Sequence, residues 1–460
     1  MSSSSSYPRS LLLVLFAALC ACPVLAHDHG HDEIDPNAPI DSILWIHISI
    51  QVLVWGFLWP FGMVLGMSRS RWHVPLQATG FALTAAGFIL GHSHKGRMFP
   101  ESIHGTFASI LLLPIILQLS LGIYLKLHIH EKSIRPYAVV AHGIVGKSYP
   151  VLGWTQMLFG ALTLRGYCRD GALGQCLAHY IMGSAFIGYG ILLAISMHVG
   201  GEWLRRKGKS QEWFDSWVIM LWGIVNTFTE HRGPHWSHKD MQHTTLGVLW
   251  WAGGALGIWT SRGGKRSVIP ALIILMTGWA MSAHEQAMMI STKVHSIFGV
   301  VLMSAGLARI VEVSFLLKDA AVPVQDEDAE QKDAFIRSFQ HLPPFLLVAG
   351  GVLFMSATDE ELEFVHSLEM DHVTYILIMF SLAFTIYFQT CFLINLYFTS
   401  GRNARGALSI KPTAGYERVP ASTPRMANGH GHSGVPRDAE VFELGPVDDE
   451  DEEAELRPVR

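Results

Sequence analysis

The sequence predicts an all-α polytopic membrane protein of about eleven spans, and three observations carry that expectation. Half of its 460 residues are apolar and only 15% are charged, whereas a soluble chain carries roughly a quarter charged residues. Mean hydropathy is +0.30. Apolar runs of spanning length recur along most of the chain. The net charge of −5 is unevenly spread, with acid gathered in one late loop and in the tail from Asp448 to Glu455. No basic stripe suggests a nucleic-acid partner, and no Walker, Rossmann or hydrolase motif suggests an enzyme of soluble type.

Residues 1–26 read as a signal peptide. A basic n-region ends at Arg9, an apolar run follows from Leu11 to Cys20, and Val24-Leu25-Ala26 offers small residues for cleavage. Cleavage leaves a lumenal His-rich segment, 27–42, that opens on His27, His29 and His31. The spans then fall at about 43–67, 73–92, 104–126, 137–162, 179–200, 213–229, 243–260, 267–283, 292–317, 342–357 and 371–398. The runs at 213–229 and 342–357 are short, and re-entrant segments are the alternative there.

A lumenal N-terminus places alternate loops in the cytosol, and the charges agree. Arg69, Arg71, Lys132, Arg135, Arg205, Arg206, Lys207, Lys209, Arg262, Lys265 and Arg266 fall on the cytosolic side. The lumenal loops hold fewer basic residues, as the positive-inside rule requires. Cys168 and Cys176 both fall in one lumenal loop, where a disulfide can form; two free thiols are the alternative. The loop at 318–341 is polar and acidic, and from 401 to 460 the composition is that of a disordered cytosolic tail. Within it, His430 and His432 read as solvated residues. The location follows: an integral membrane protein of the secretory pathway (endoplasmic reticulum, Golgi, vacuole or plasma membrane), with its C-terminus cytosolic.

The first four spans carry the main chemical signal. Histidine is expensive in hydrocarbon and marks function there more often than packing. His47 and His104 lie at the lumenal level of the first and third spans, and His73 and His142 at the cytosolic level of the second and fourth. At 1.5 Å of rise per residue the two levels are roughly 20–25 Å apart. One imidazole from each side is what a six-coordinate b-type haem requires. Gly105, Gly143, Gly80, Gly87 and Gly91 are positions where a flat macrocycle can approach the backbone, although small residues also serve helix packing.

The stretches HISIQVLVWGFLWPFGMVLGMSR, WHVPLQATGFALTAAGFILG, IHGTFASILLLPIILQLSLGIY and AHGIVGK resemble the cytochrome b-561 transmembrane core over residues 43–162. The resemblance implies two haems b in a four-helix core with His47, His73, His104 and His142 as axial ligands. It also implies a small reductant such as ascorbate as partner, and monodehydroascorbate or ferric iron as acceptor. The second half, with WFDSWVIMLWGIVNTFTEHRGPHWSHKDMQHTTLGVLWWAGGALGIW and PALIILMTGWAMSAHEQAMMISTKVHSIFGV, is unlike that core. With the first half it looks like the fungal Ytp-like integral membrane proteins. The division is then a b-561-like membrane domain at 43–200 and a Ytp-like C-terminal membrane domain at 213–398.

That second half concentrates imidazole and carboxylate at one face: Glu230, His231, His235, His238, Asp240 and His243, then His284, Glu285 and His295. This donor set suits zinc, iron, copper or nickel, and His243 and His295 begin spans at one level, as a third cofactor site would require. A hydrated interfacial loop is the alternative. Asp359, Glu360, Glu361 and Glu363 form an acidic patch on the same face.

The favoured reading is a di-haem b-type electron carrier moving electrons from cytosol to lumen, with a metal ion as acceptor. The alternative is a haem-free metal-handling or transport protein using the lumenal histidines, although few acidic residues lie deep in the spans, where an ion path needs them. A scaffold that has lost its cofactors is the third.

Overall fold

The computed structural model describes residues 38–231, 234–283, 286, 288–317 and 338–404. The signal peptide, the His27–His31 segment, His284 with Glu285, residues 318–337 of the acidic loop, and the tail with His430 and His432 lie outside the described residues.

Every apolar run read from the sequence falls on a helix. In chain order these are α1 (Ser42–Met67), α2 (His73–Ser93), α3 (Ile103–Lys126), α4 (Arg135–Arg165) and α5 (Leu173–Gly200), followed by the short α6 (Gly201–Lys207). The second half holds α7 (Gln211–Thr229), α8 (His238–Thr260), α9 (Ile269–Ser282), α10 (Met289–Leu316), α11 (Ser338–Met355), the short α12 (Asp359–Ser367) and α13 (His372–Thr399). Seven of these, α1, α2, α3, α5, α10, α11 and α13, are long and apolar enough to cross a membrane. The other four runs fall short for local reasons. α4 is interrupted by Lys147 and Ser148, α7 opens on Glu212 and Asp215, α8 opens on His238-Lys239-Asp240, and α9 has 14 residues. No strand occurs among the described residues.

The first half pairs α1 with α2 and α3 with α4. Its core is Val54, Trp55, Trp59, Leu111, Ile115 and Tyr149. A π-helical turn at Val54–Leu58 widens α1 there, a device frequent at functional sites. The second half gathers α5, α10, α11 and α13 around Phe186, Phe298, Leu302, Val348, Leu353 and Ala383. Small residues permit that closeness: a Cβ on Gly183 of α5 would stand 2.7 Å from the carbonyl oxygen of Gly351 on α11. Close backbone approach is how helices associate where water supplies no driving force. α13 returns to the first half, where the Gln389 amide donates to the Gly56 carbonyl and the Ser68 and Ser400 hydroxyls lie 2.7 Å apart.

The loop between α4 and α5 is fastened at several points. Cys168 and Cys176 are bonded, with Cα atoms 5.4 Å apart. The Cys168 amide donates to Glu360 on α12 at 2.9 Å, and the Arg165 guanidinium lies 3.4 Å from the centre of the Phe364 ring. The acidic residues of α12 therefore help hold this loop. Replacing both cysteines by serine is expected to cost about 2–3 kcal/mol for so short a loop. A lowered melting midpoint in detergent checks this; native protein treated with reductant should fall to the same value.

Candidate cofactor site

Four histidines from four helices meet in two pairs. His47 on α1 and His104 on α3 have ring centroids 6.3 Å apart with ring planes at 86°. His73 on α2 and His142 on α4 repeat this at 6.3 Å and 88°. Two imidazoles on opposite sides of one metal, each bonded at about 2.0–2.1 Å, have centroids separated by roughly 6 Å.

The neighbouring helix sets the chemistry of each ring. His47 Nδ1 lies 2.6 Å from the Gly87 carbonyl on α2, His73 Nδ1 2.7 Å from the Gly62 carbonyl on α1, and His104 Nδ1 3.3 Å from the Gln156 carbonyl on α4. A carbonyl accepts only, so Nδ1 donates and Nε2 keeps its lone pair. That tautomer is the one metal-bound histidines use. His142 rests against Gln118, its Nε2 3.5 Å from the amide nitrogen.

A glycine then cushions every ring. A Cβ at Gly91 would stand 2.7 Å from the His47 ring, one at Gly66 2.7 Å from His73, one at Gly160 3.1 Å from His104, and one at Gly122 3.5 Å from His142. Each cushion follows its partner residue (Gly87, Gly62, Gln156, Gln118) by four positions, one turn of helix. The i, i+4 spacing recurs at all four histidines, while the Nδ1-to-carbonyl contact is made by His47, His73 and His104. A Cβ at Gly105 would reach only the Ser102 hydroxyl at 4.0 Å, and one at Gly143 nothing within 4 Å, so both positions stand open. The glycines that touch the imidazoles lie on the facing helix, and the i, i+4 spacing is the signal that finds them.

Between the two levels the interior is aromatic and amide-lined. Trp55, Trp59 and Tyr149 touch one another with centroids 5.3–6.1 Å apart. Each of the four helices also contributes one glutamine. The side-chain oxygens of Gln51, Gln77, Gln118 and Gln156 are buried with no hydrogen-bond partner among the described residues, a costly arrangement for amides.

Among the described residues, the second-half histidines do not converge as one cluster. His231 stacks on Trp236 at 3.8 Å and pairs with Asp240 at 3.2 Å, while His243 pairs with Glu230 at 3.1 Å. Hydrogen bonds from Ser237, and after them from His231, hold the Asp240 carboxyl below its usual range. His235 and His238 are exposed. His295 sits instead beside His179 of α5, their centroids 5.8 Å apart. His198 of α5 likewise approaches His341 of α11, at 5.7 Å. The sequence reading passed over His179, His198 and His341. The same span-end criterion that found the first four histidines also selects these. Among the described residues, the group of three metal-type side chains with ligand atoms within 4.8 Å is Cys168, Cys176 and Glu360, already explained by the disulfide and its amide contact.

The second half also buries charge at its helix ends. Arg309 near the end of α10 donates to Glu212 at 2.7 Å and to Glu312 at 2.6 Å, and Arg266 reaches Glu212 at 3.1 Å. Glu212, Asp215, Glu312 and Arg309 are all buried. Glu212, Asp215 and Arg309 border a cavity of about 20 Å³ that Tyr189 and Pro343 also line, room for about one water. The charges sit at helix ends, where hydropathy reveals neither their burial nor their partners.

These helices define an α-helical integral membrane protein in which part-buried histidines of neighbouring helices meet in pairs. The chain belongs to the family described as "Protein YTP1-like, C-terminal", whose model matches residues 152–398. Residues 27–128 match a domain of unknown function, DUF2427. The chain is similar to Protein YTP1 of Saccharomyces cerevisiae (strain ATCC 204508 / S288c), with 47% identity over 53% of this chain and 52% of that protein. The chain thus spans about half the length of that relative. It is also similar to "Uncharacterized membrane protein C3B8.06" of Schizosaccharomyces pombe (strain 972 / ATCC 24843), at 24% identity over 75% of this chain and 91% of the relative. A third relative, "Uncharacterized membrane protein YCR061W" of Saccharomyces cerevisiae, is 26% identical over 34% of this chain and 27% of its own length. No solved structure matches the chain.

Proposed function

We propose that this protein is a di-haem b-type transmembrane electron carrier of the secretory pathway. The observation that carries the reading is the doubled geometry of His47–His104 and His73–His142, two perpendicular imidazole pairs at equal separation. His47 and His104 would hold one haem, and His73 and His142 the other. A bound b-type haem at each pair supplies one-electron chemistry.

The chain's own residues do the rest. The Gly87, Gly62 and Gln156 carbonyls fix the rings as Nε2 ligands. The facing glycines leave the rings room, and Trp55, Trp59 and Tyr149 fill the interval between levels and exclude water. The wider topology belongs to the same reading: eleven crossings or re-entrant passages, a cleaved signal peptide and a lumenal N-terminus. The His73–His142 pair then faces the cytosol and a small reductant such as ascorbate, and the His47–His104 pair faces the lumen and a ferric or cupric ion. Purified protein reduced with dithionite should show a b-type haem spectrum at two haems per chain.

The cushioning glycines give a sharper test. Gly66→Ala places a methyl group against the His73 ring, so that variant should fall from two haems per chain toward one. Gly188→Ala on α5, whose Cβ meets nothing, should keep both. Pyridine haemochrome assays on the two variants check this.

The second reading is a haem-free metal-handling or transport protein. Its favouring observation is the buried Glu212–Arg309–Glu312 network beside Asp215, since intramembrane charge is a usual mark of an ion path. A purified chain without haem and with all four histidines intact would favour it.

A further inference from the structure

We propose that His179 and His295 form a binding site for a divalent transition-metal ion of the zinc class at one end of the second helical bundle. The site is independent of the haem reading.

His179 lies on α5 and His295 on α10, and they are 8% and 3% exposed. Each ring is held by its own helix: His179 Nδ1 is 2.8 Å from the Gln175 carbonyl, and His295 Nδ1 is 2.9 Å from the Ser291 carbonyl. Both Nδ1 atoms therefore donate, and both Nε2 atoms are acceptors. Their centroids are 5.8 Å apart with planes at 86°. That is slightly less than the roughly 6 Å of a straight nitrogen–metal–nitrogen arrangement at ordinary bond lengths, as a bent arrangement around one ion requires.

A second observation points to a ligand. Nε2 of His179 is buried and has no hydrogen-bond partner among the described residues. A buried acceptor left unpaired is costly, and a cation relieves that cost. Imidazole nitrogen is a donor that zinc and its first-row neighbours share.

The surroundings favour a bare ion over a porphyrin. The Phe354 ring stacks on His179 at 4.6 Å and 14°. Gly183, one turn beyond His179, is packed against α11 backbone, and a Cβ there would also stand 2.7 Å from the Met355 Cβ. In the first half the glycines cushion imidazoles; here they bring helices together, which leaves no slot for a macrocycle.

The test uses the full-length chain with His27, His29, His31, His430 and His432 changed to alanine, so that the terminal histidines contribute no background. After chelator treatment, Zn2+ is titrated calorimetrically and bound metal is counted by mass spectrometry. This protein should bind one equivalent of Zn2+ that His179→Gln and His295→Gln each weaken at least tenfold, while His198→Gln retains it. Co2+ added to the protein without those glutamine substitutions should give the visible ligand-field bands of a nitrogen-ligated site, a readout independent of whether the variants fold. The proposal is overturned by equal Zn2+ binding with and without His179→Gln and His295→Gln, by no Zn2+ uptake and no Co2+ bands, or by loss of a third haem in those variants.

Discussion

Alanine at any one of His47, His73, His104 or His142 is expected to remove one of two haems and abolish electron transfer across the membrane. The pairs predict how variants combine. His47→Ala with His104→Ala should lose no more haem than either alone, because both residues serve one group. His47→Ala with His73→Ala should lose all of it, because the residues belong to different pairs. Non-additivity within a pair and additivity across pairs is the signature of coupled ligands, and a general packing defect would not reproduce it. The measurement is haem per chain by pyridine haemochrome, together with reduction of an impermeant acceptor enclosed in vesicles by a reductant outside. A single-histidine variant should keep about half the haem and almost none of the transfer, since a carrier needs both levels filled.

The second large effect concerns stability. Arg309 is 9% exposed and donates to Glu212 and Glu312, themselves 1% and 3% exposed. Arg309→Met leaves Glu312 without this partner and Glu212 with the more exposed Arg266. Removing one partner of a buried ion pair costs about 3–5 kcal/mol, whereas replacing the whole set by neutral groups of similar size is far cheaper. Arg309→Met should therefore melt many degrees lower in detergent and accumulate poorly. The triple variant Arg309→Met, Glu212→Gln, Glu312→Gln should recover most of that loss. If the triple variant is as unstable as the single one, the arginine acts through packing and not through charge. Haem content should be unchanged in any variant that folds, because the network lies in the other half of the molecule.

Much of this arrangement was legible in the chain. The apolar runs gave the helices, because hydrocarbon allows little else for a buried backbone. The depth of each histidine followed from its distance to a span end, and depth alone paired His47 with His104 and His73 with His142. What depth could not supply was partnership across helices. Gly66 and Gly91 look like ordinary small residues until the facing histidine is known. Arg309 and Glu212 are 97 residues apart in the chain, so neither hydropathy nor motif joins them. His295 shares its level with His243 in the sequence, and the structure adds the ring of His179 of α5 beside it. The acidic run at Asp359–Glu363 reads only as an acidic patch, and its role in accepting the Cys168 amide through Glu360 needs the fold. Span number was the least legible quantity, since α7 and α8 mix polar openings with apolar bodies and α9 is short.

The central claim is that the two histidine pairs hold haem, and an absorption spectrum of the purified full-length protein before and after dithionite tests it most directly. The account predicts b-type bands that sharpen on reduction, at two haems per chain, and one haem after loss of either pair. A chain that carries no haem while His47, His73, His104 and His142 are intact would contradict it.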